Sequence, residues 1–185
     1  PRLMPEIVGL NSENAAHRVA VQWDEDGVTR EGVFISRRDT SSPLNYLLGG
    51  RLFPGEQHQA SFKVTESGTE IKFAMKSADE VVAVEIDGQA ATDLPSSSIF
   101  SSVAEASSFF EGGSVGYSVT SDEDRLDGMK LETKEWRVEP LQTSRVQSSY
   151  FDDETKFPPG SIEFDHALIM RNLAHEWHTV DDLYV

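Results

Sequence analysis

Charged side chains that could converge on a ligand are densest in residues 32–64. They fall between two apolar, β-branched or aromatic runs, residues 32–36 and 57–64, or at the edges of those runs. The set consists of Arg37, Arg38, Asp39, Arg51, Glu56 and His58. Arginine offers a planar fork of N–H donors that matches a carboxylate or a phosphate. Glutamate and histidine can transfer a proton. These residue types predict the mouth of an anion-binding pocket.

A second interpretation of the same charges stays open, because structural ion pairs also gather at strand ends. In it, Arg38 and Asp39 belong to a solvated turn, and Arg51 pairs with a nearby acid. The residue types alone are compatible with both interpretations.

The elements that would position these charges are short. Residues 32–36 have the composition of a strand, and residues 57–64 alternate between polar and apolar as a half-buried strand does. Between them, Ser42 precedes Pro43, which is typical of a helix N-cap followed by the first helical position. We expect Gly49 and Gly50 to end this helix, because glycine accepts the left-handed conformation.

The rest of the chain predicts a mainly β fold. A capping box of Ser102 and Glu105 starts a second short helix that runs to Glu111 and buries Val103, Ala106, Phe109 and Phe110. The region from His175 onward has little pattern. Eight or more strands with two short helices favour a curved antiparallel sheet that closes toward a barrel, and such a barrel commonly holds one small ligand. The further strands are expected at 17–23, 28–36, 69–75, 80–86, 114–120, 129–138, 141–151 and 161–170.

Composition narrows the functional classes. The 185 residues suit a single domain, and 32 acidic against 16 basic residues give a net charge of -16. Such a charge disfavours nucleic acids and anionic membranes as partners. The absence of cysteine excludes disulfides and thiolate chemistry. We expect a cytoplasmic protein that needs no cofactor or metal, and the start at Pro1 suggests a piece of a longer chain.

Several motifs resemble known sites but lack their context. Residues 112–116 match G-x-S-x-G, yet a predicted helix precedes them and a strand follows, which reverses the order of a nucleophile elbow. The acidic residues 122–128 depart from the spacing of a calcium loop. His175 and His178 are too close in sequence for the zinc motif H-E-x-x-H. His166, inside a predicted strand, is expected to be bonded structurally, with a pocket acid or base as the alternative.

Five segments together resemble the acetoacetate decarboxylase-like superfamily, in its branch of uncharacterised YqjF-like proteins. The resemblance covers nearly the whole chain. It implies one domain over residues 1–185 that lacks an N-terminal segment, and a cone-like antiparallel β-barrel with peripheral helices and an internal cavity. The segments are GVFISRRDTSSPLNYLLGGRLFPGEQH, FFEGGSVGYSVT, WRVEPL, SSYFDDETKFPPGSIEFDHALIMR and HEWH.

The resemblance does not carry the decarboxylase chemistry with it. The family's Gly-aromatic-Pro-Lys-Lys motif corresponds to residues 116–119 here, where both lysines are absent. None of the six lysines stands next to another lysine or an arginine, so the pKa-lowering neighbour of a Schiff-base lysine is missing in sequence. What remains comparable with the family is the cavity, the glycine-tyrosine turn and arginine suited to a carboxylate. In our site hypothesis, Tyr117 belongs to the catalytic residues and donates a hydrogen bond, and Ser118 contacts the ligand.

Two functions are compatible with these features. The first is a barrel that binds a small carboxylate or keto acid and resembles a lyase, in which Arg51 and Arg37 or Arg38 hold the anion beside Asp39, and Glu56 or His58 moves a proton. The second is a non-catalytic ligand-binding or protein-interaction module, which could be a homo-oligomer and in which the charged segments are structural.

Overall fold

The computed structural model describes residues 12–49 and 54–184. Within them the fold is mainly β, as predicted, with eleven strands in a mixed sheet and two short helices. The elements are β1 Asn14–Glu25, β2 Val28–Thr40, α1 Pro43–Leu48, β3 His58–Ser67, β4 Glu70–Ser77, β5 Ala83–Ala90, α2 Val103–Gly112, β6 Val115–Val119, β7 Arg125–Thr133, β8 Glu139–Ser148, β9 Ala167–Ile169, β10 His175–Thr179 and β11 Leu183–Tyr184.

The chain divides into two compact units. The first is formed by Pro1–Gln59, Phe110–Lys134 and Ala174–Val185, as far as these are described, and the second by Ala60–Phe109 and Glu135–Leu173. The single domain expected from the sequence stays a prediction.

The first unit is built around the long β1–β2 hairpin. Its turn places Asp26 and Gly27 at φ values of 54° and 78°, the two positive values that a type I′ hairpin turn requires. On the other side, β2 pairs in parallel with β6, and β6 continues through β7 to β10 in antiparallel ladders, with β11 also on β7. The parallel ladder differs from the antiparallel sheet that we predicted. It arises because the chain passes through the second unit before β6 returns to β2.

The second unit contains an antiparallel meander. Strands β3, β4 and β5 pair in antiparallel succession, and β8 and β9 extend the sheet. Strand β3 begins in the first unit, where His58 and Gln59 pair in parallel with Asp39 and Thr40. The ladder order runs from β10 to β9, and no described ladder joins these two ends, so the predicted closed barrel is not shown.

Two strand predictions near the end of the chain were wrong. Only Ala167–Ile169 of the expected strand 161–170 pairs with another strand, and the apolar Ile162 and Phe164 are exposed. The region after residue 174, which had no clear pattern, forms β10 and β11. Strand β10 forms because it pairs with β7, which sets its register. Within its own sequence, one apolar residue, Trp177, is too weak a signal to predict a strand.

Both helices begin at the predicted N-cap residues, but the predicted glycine stop of α1 and the capping box of α2 differ from the structure. Ser42 Oγ accepts a hydrogen bond from the backbone N–H of Asn45, so α1 begins as expected. Gly49 has φ −55°, which is not left-handed, and residue 50 lies outside the described residues. In α2, Ser102 caps the helix, but the Glu105 carboxylate reaches back to Ser101 rather than to Ser102.

The buried face of α2 is narrower than we predicted. Ala106 is the residue of this helix that is buried, whereas Phe109 and Phe110 are 52% and 46% exposed. Two adjacent aromatic residues lie about 100° apart around a helix, so a face narrow enough to be filled by Ala106 does not bury both.

Candidate functional site

Buried polar residues are concentrated in the first unit. Among the described residues of this unit they outnumber the buried apolar side chains, which are Ile35, Pro54 and Met129. Burial of a polar group costs free energy unless it is hydrogen-bonded or paired, so this concentration points to a functional region. The buried polar residues of the unit are His17, Arg37, Asp39, Thr40, Ser42, Ser118 and Asp127.

A cavity of about 470 Å³ opens in this unit. Its volume falls in the range of roughly 300–1,000 Å³ that small-molecule sites occupy. The described residues that line it include two arginines and no acidic residue, although the protein has twice as many acids as bases. The lining consists of Asn14, Ala15, Ala16, Arg18, Arg38, Asn45, Pro54, Gln57, Met129 and Trp177.

The β1–β2 hairpin determines which arginine reaches the cavity. Successive residues of a strand point to opposite faces, so Arg38 lies on the face opposite to Arg37 and Asp39. In the ladder Arg38 is opposite Ala16, another lining residue. A bulge between His17 and Arg18 shifts the register, so that Arg18 is opposite Ile35.

Arg38 is only partly satisfied by protein. Its Nε donates a 2.9 Å hydrogen bond to Ser118 Oγ, while its Nη2 is buried and has no hydrogen-bond partner among the described residues. Burial lowers the pKa of Arg38 to about 10; the charge of Arg18 lowers it too, and Asp127 opposes the shift. The guanidinium is therefore still a cation at neutral pH, and its buried Nη2 is left without a hydrogen-bond partner among the described residues.

Arg18 is the second cation of the cavity. It keeps contact with solvent, yet enough protein surrounds the guanidinium for desolvation to lower its pKa. It has no hydrogen bond and no ion pair with the described residues. By contrast, Arg30, which is equally part of the hairpin, pairs with Glu25 at 2.9 Å.

Ser118, which accepts the hydrogen bond from Arg38, belongs to a buried polar pair with Asp127. Ser118 on β6 lies opposite Asp127 on β7, and each is 1% exposed. Asp127 Oδ2 accepts a 2.9 Å hydrogen bond from the backbone N–H of Gly55, and its Oδ1 lies 3.5 Å from Arg125 Nη2. The carboxylate thus ties β7 to the segment that carries Pro54 and Gln57, two lining residues.

Gly55 allows that segment to approach β6 closely. Its φ is +74°, and a Cβ at this position would lie 2.5 Å from the Cβ of Ser118. Next to it, the backbone N–H of Glu56 donates to the carbonyl of Val119 at 3.0 Å. Only glycine combines the left-handed conformation with this proximity, so Gly55 sets one wall of the cavity.

Arg37 and Asp39 form a buried ion pair on the other face of β2. Arg37 Nη2 lies 2.9 Å and its Nε 3.1–3.2 Å from the Asp39 oxygens, and His17 Nε2 lies 3.7 Å from the same carboxylate. Burial by itself would raise the pKa of Asp39, but hydrogen bonds and charges from His17 and Arg37 outweigh it and lower the pKa. The solvated turn considered for Arg38 and Asp39 is therefore wrong, because both residues lie within β2 and Asp39 is 0% exposed.

Three of the remaining predicted residues are not among the described residues that line the cavity. The Glu56 side chain is exposed, and His58 is half-buried at the start of β3, opposite Asp39. Tyr117 packs edge-to-face on Trp23 with 5.4 Å between ring centroids, and burial together with Glu25 raises its pKa. Arg51 lies outside the described residues. The roles assigned to these four residues stay predictions.

Sequence reasoning missed several lining residues. Arg18 alternates with Val19 and Val21 and so has the position of an ordinary solvent-facing strand residue. Trp177 lies in a region without periodicity, although a lone tryptophan among polar residues is a weak sign of a contact surface. Asn45 sits on α1 between Leu44 and Leu47, and its sequence position gave no sign of a cavity contact.

His166 belongs to a separate cluster in the second unit. Its Nδ1 contacts Asp165 Oδ2, and the same carboxylate accepts hydrogen bonds from Ser98 Oγ at 2.7 Å and from the Ile99 N–H at 2.8 Å. The Phe100 ring stacks edge-to-face on the imidazole. This arrangement fastens the loop around residue 99 to the segment before β9, which is a structural role.

The described residues show neither a metal site nor a membrane-spanning helix, and the chain matches no known protein in three comparisons. No group of three or more potential ligands is placed to hold a metal ion in the described ranges. Neither helix in that part of the chain has the length and apolar character needed to cross a membrane. No protein-family model, no curated protein and no solved structure matches this chain.

Proposed function

We propose that the protein binds a small organic anion, of the carboxylate or keto acid class, in the cavity lined by Arg18 and Arg38. The observation that carries the proposal is the buried guanidinium of Arg38, whose Nη2 has no partner among the described residues. A buried donor without an acceptor costs roughly 1–3 kcal/mol, and more when it is charged. A ligand oxygen at this position would remove that cost, so the free energy of binding would include it.

The rest of the lining fits an anion with an apolar body. Trp177, Met129 and Ala16 supply apolar surface, and Asn45 and Gln57 supply amide groups that can donate or accept hydrogen bonds. Ligand pockets commonly combine a mostly apolar wall with a few polar groups that orient the molecule.

The proposal is one of binding and includes no chemical step. The lining residues that the structure describes comprise no histidine, lysine, tyrosine or acid that could move a proton. A lyase-like reaction would need Glu56, His58 or Tyr117, and none of these lines the cavity as described. Turnover of a 2-oxo acid by the protein would therefore argue against pure binding.

The test is a calorimetric titration of the full chain with benzoate, hexanoate and 2-oxohexanoate. Arg38→Gln removes the cation, and a charge-assisted hydrogen bond contributes roughly 1.5–3 kcal/mol, so we expect the Kd to rise by about tenfold to a hundredfold. The matched control is Arg30→Gln, because Arg30 is an exposed hairpin arginine outside the cavity lining.

Thermal unfolding separates binding from folding. Arg38→Gln loses the bond to Ser118 but also removes a desolvated charge, so we expect the Tm without ligand to change by less than about 3 °C, or roughly 1 kcal/mol. A fall in Tm well beyond this, with unchanged affinity for all three anions, would make Arg38 a structural residue. If neither wild type nor Arg38→Gln binds any of the three anions, a protein-interaction module is the better function for this chain.

We further propose that the chain is a divergent member of the acetoacetate decarboxylase-like superfamily with a barrel fold. The support is the motif resemblance together with a mainly β sheet and an arginine-lined cavity. An experimental structure that showed β9 and β10 far from pairing would count against the barrel.

A further inference from the structure

Three arginines of the described chain have no acidic partner, and two of them are the cavity arginines Arg18 and Arg38. Each of five others forms an ion pair with a carboxylate, and Arg137, which has none, is exposed. The pairs are Arg30–Glu25, Arg37–Asp39, Arg125–Asp127, Arg145–Glu85 and Arg171–Glu139. In a protein with 32 acidic residues, a cavity with two unpaired guanidiniums departs from the rest of the molecule.

The charges of Arg18 and Arg38 act on each other. They line the same cavity, and the charge of Arg18 is one of the causes that lower the pKa of Arg38. The nearest compensating charge, Asp127, already accepts a bond from Gly55 and faces Arg125. A ligand with one negative charge would pair with one guanidinium and leave the other unpaired.

We propose that the ligand is a small dicarboxylate, with one carboxylate on Arg38 and the other on Arg18. This proposal rests on the proposed function and specifies the ligand class of the same cavity. Two separate guanidiniums on neighbouring strands suit two separate carboxylates. A phosphate, in contrast, commonly takes backbone N–H groups at a helix N-terminus or a glycine-rich nest. The described lining contains no glycine, and the N–H of Asn45, in the first turn of α1, already donates to Ser42 Oγ.

The two arginines have different parts in this arrangement. Arg38 is fixed by Ser118 and is the more buried, so it should hold the carboxylate that both mono- and dicarboxylates share. Arg18 is exposed and without a partner among the described residues, so it should contact only the second carboxylate. Arg18 would then determine the preference for two charges without determining binding itself.

The experiment compares each dicarboxylate with its own monomethyl ester. Succinate, glutarate and adipate offer three different spacings between their carboxylates, and the esters keep chain length while removing one charge. Titration calorimetry at 0.15 M salt, where the Debye length is about 8 Å, screens the repulsion between the acidic protein and a dianion. For the best-fitting length, we expect the dicarboxylate to bind wild type at least about tenfold more tightly than its ester.

The variants assign the effect to the two residues. Arg18→Gln should lower the preference to below about threefold and change the affinity for the ester by less than about threefold. Arg38→Gln should weaken both ligands. Arg30→Gln, which removes the same charge outside the cavity lining, should keep the wild-type preference, and circular dichroism should show every variant folded.

The outcomes separate this inference from the proposed function. If esters and dicarboxylates bind wild type equally, or if the preference survives in Arg18→Gln, the dicarboxylate inference is wrong while anion binding stands. If pentyl phosphate binds more tightly than any dicarboxylate, the ligand class is wrong. If none of these anions binds wild type, the proposed function itself fails.

Discussion

Replacement of Gly55 by alanine should destabilise the first unit more than an ordinary loop substitution does. A non-glycine residue in the left-handed conformation costs about 1–2 kcal/mol, and Gly55 has φ +74°. The new Cβ would also lie 2.5 Å from the Cβ of Ser118, which is 1% exposed and cannot move into solvent. Overpacking of a buried site typically costs about 1–3 kcal/mol, so we expect a total loss of about 2–5 kcal/mol.

Urea unfolding at 25 °C, followed by circular dichroism and by fluorescence, measures this loss; agreement of the two probes supports the two-state treatment. Gly27→Ala is the matched control, because Gly27 has φ +78° and no atom within 4 Å of the added Cβ. It carries the backbone cost alone, about 1–2 kcal/mol. Equal losses for the two variants would refute the claim that Gly55 is packed against Ser118.

A double variant tests that contact directly. Ser118→Gly removes the Cβ that the new methyl group would meet at 2.5 Å and leaves the Val119 carbonyl oxygen at 3.3 Å. Gly55→Ala made in that background should therefore cost clearly less than it does in the wild type. A coupling free energy near zero between the two substitutions would show that the loss has another origin.

Two further predictions concern the charges on the two faces of β2. Asp39→Asn should destabilise the protein by about 3–5 kcal/mol, because it leaves Arg37 buried without its carboxylate. Glu25→Gln is the control: it breaks an exposed ion pair and should cost less than about 1 kcal/mol in the same urea assay. Since the folded-state pKa of Asp39 lies below its ordinary value of 3.8, its contribution is present above that value and is lost as the pH falls through the lowered pKa; Asp39→Asn should flatten this part of the stability curve, and an unchanged acid limb would contradict the account. On the other face of β2, anions bind the protonated Arg38, so their affinity should be level from pH 7 to 9 and fall above pH 10. Calorimetry measures the affinity, and circular dichroism checks that the protein is folded at each pH. An affinity that stays level above pH 10 would show that Arg38 is not the ligand-binding group.

Local signals in the sequence were sufficient to predict helices and strands but not how the strands pair in the sheet. The N-cap at Ser42 and the alternation in β3, β4 and β5 involve residues within a few positions of each other, and these predictions were confirmed. The parallel ladder between β2 and β6 joins residues about 80 positions apart, such as Ile35 and Ser118. No local pattern specifies such a pairing, and β10 depends in the same way on its partner β7.

The site shows the same division. Strand alternation separates Arg37 from Arg38, but it does not tell which of them meets a carboxylate and which meets a cavity. That depends on Asp39 two residues further on, on Ser118 from β6, and on the bulge that sets the position of Arg18. The bulge inserts one residue into the ladder, and the sequence around His17 contains no glycine that would indicate it.

Diffraction with a heavy-atom ligand tests the central claim most directly. Crystals of the full chain soaked in 4-bromobenzoate would locate the bromine by its anomalous signal and the carboxylate by its density. Our account predicts the bromine between Trp177 and Met129 and a carboxylate oxygen within hydrogen-bond distance of Arg38 Nη2. Bromine bound only outside the cavity, or a filled cavity with the carboxylate turned away from Arg38, would contradict it.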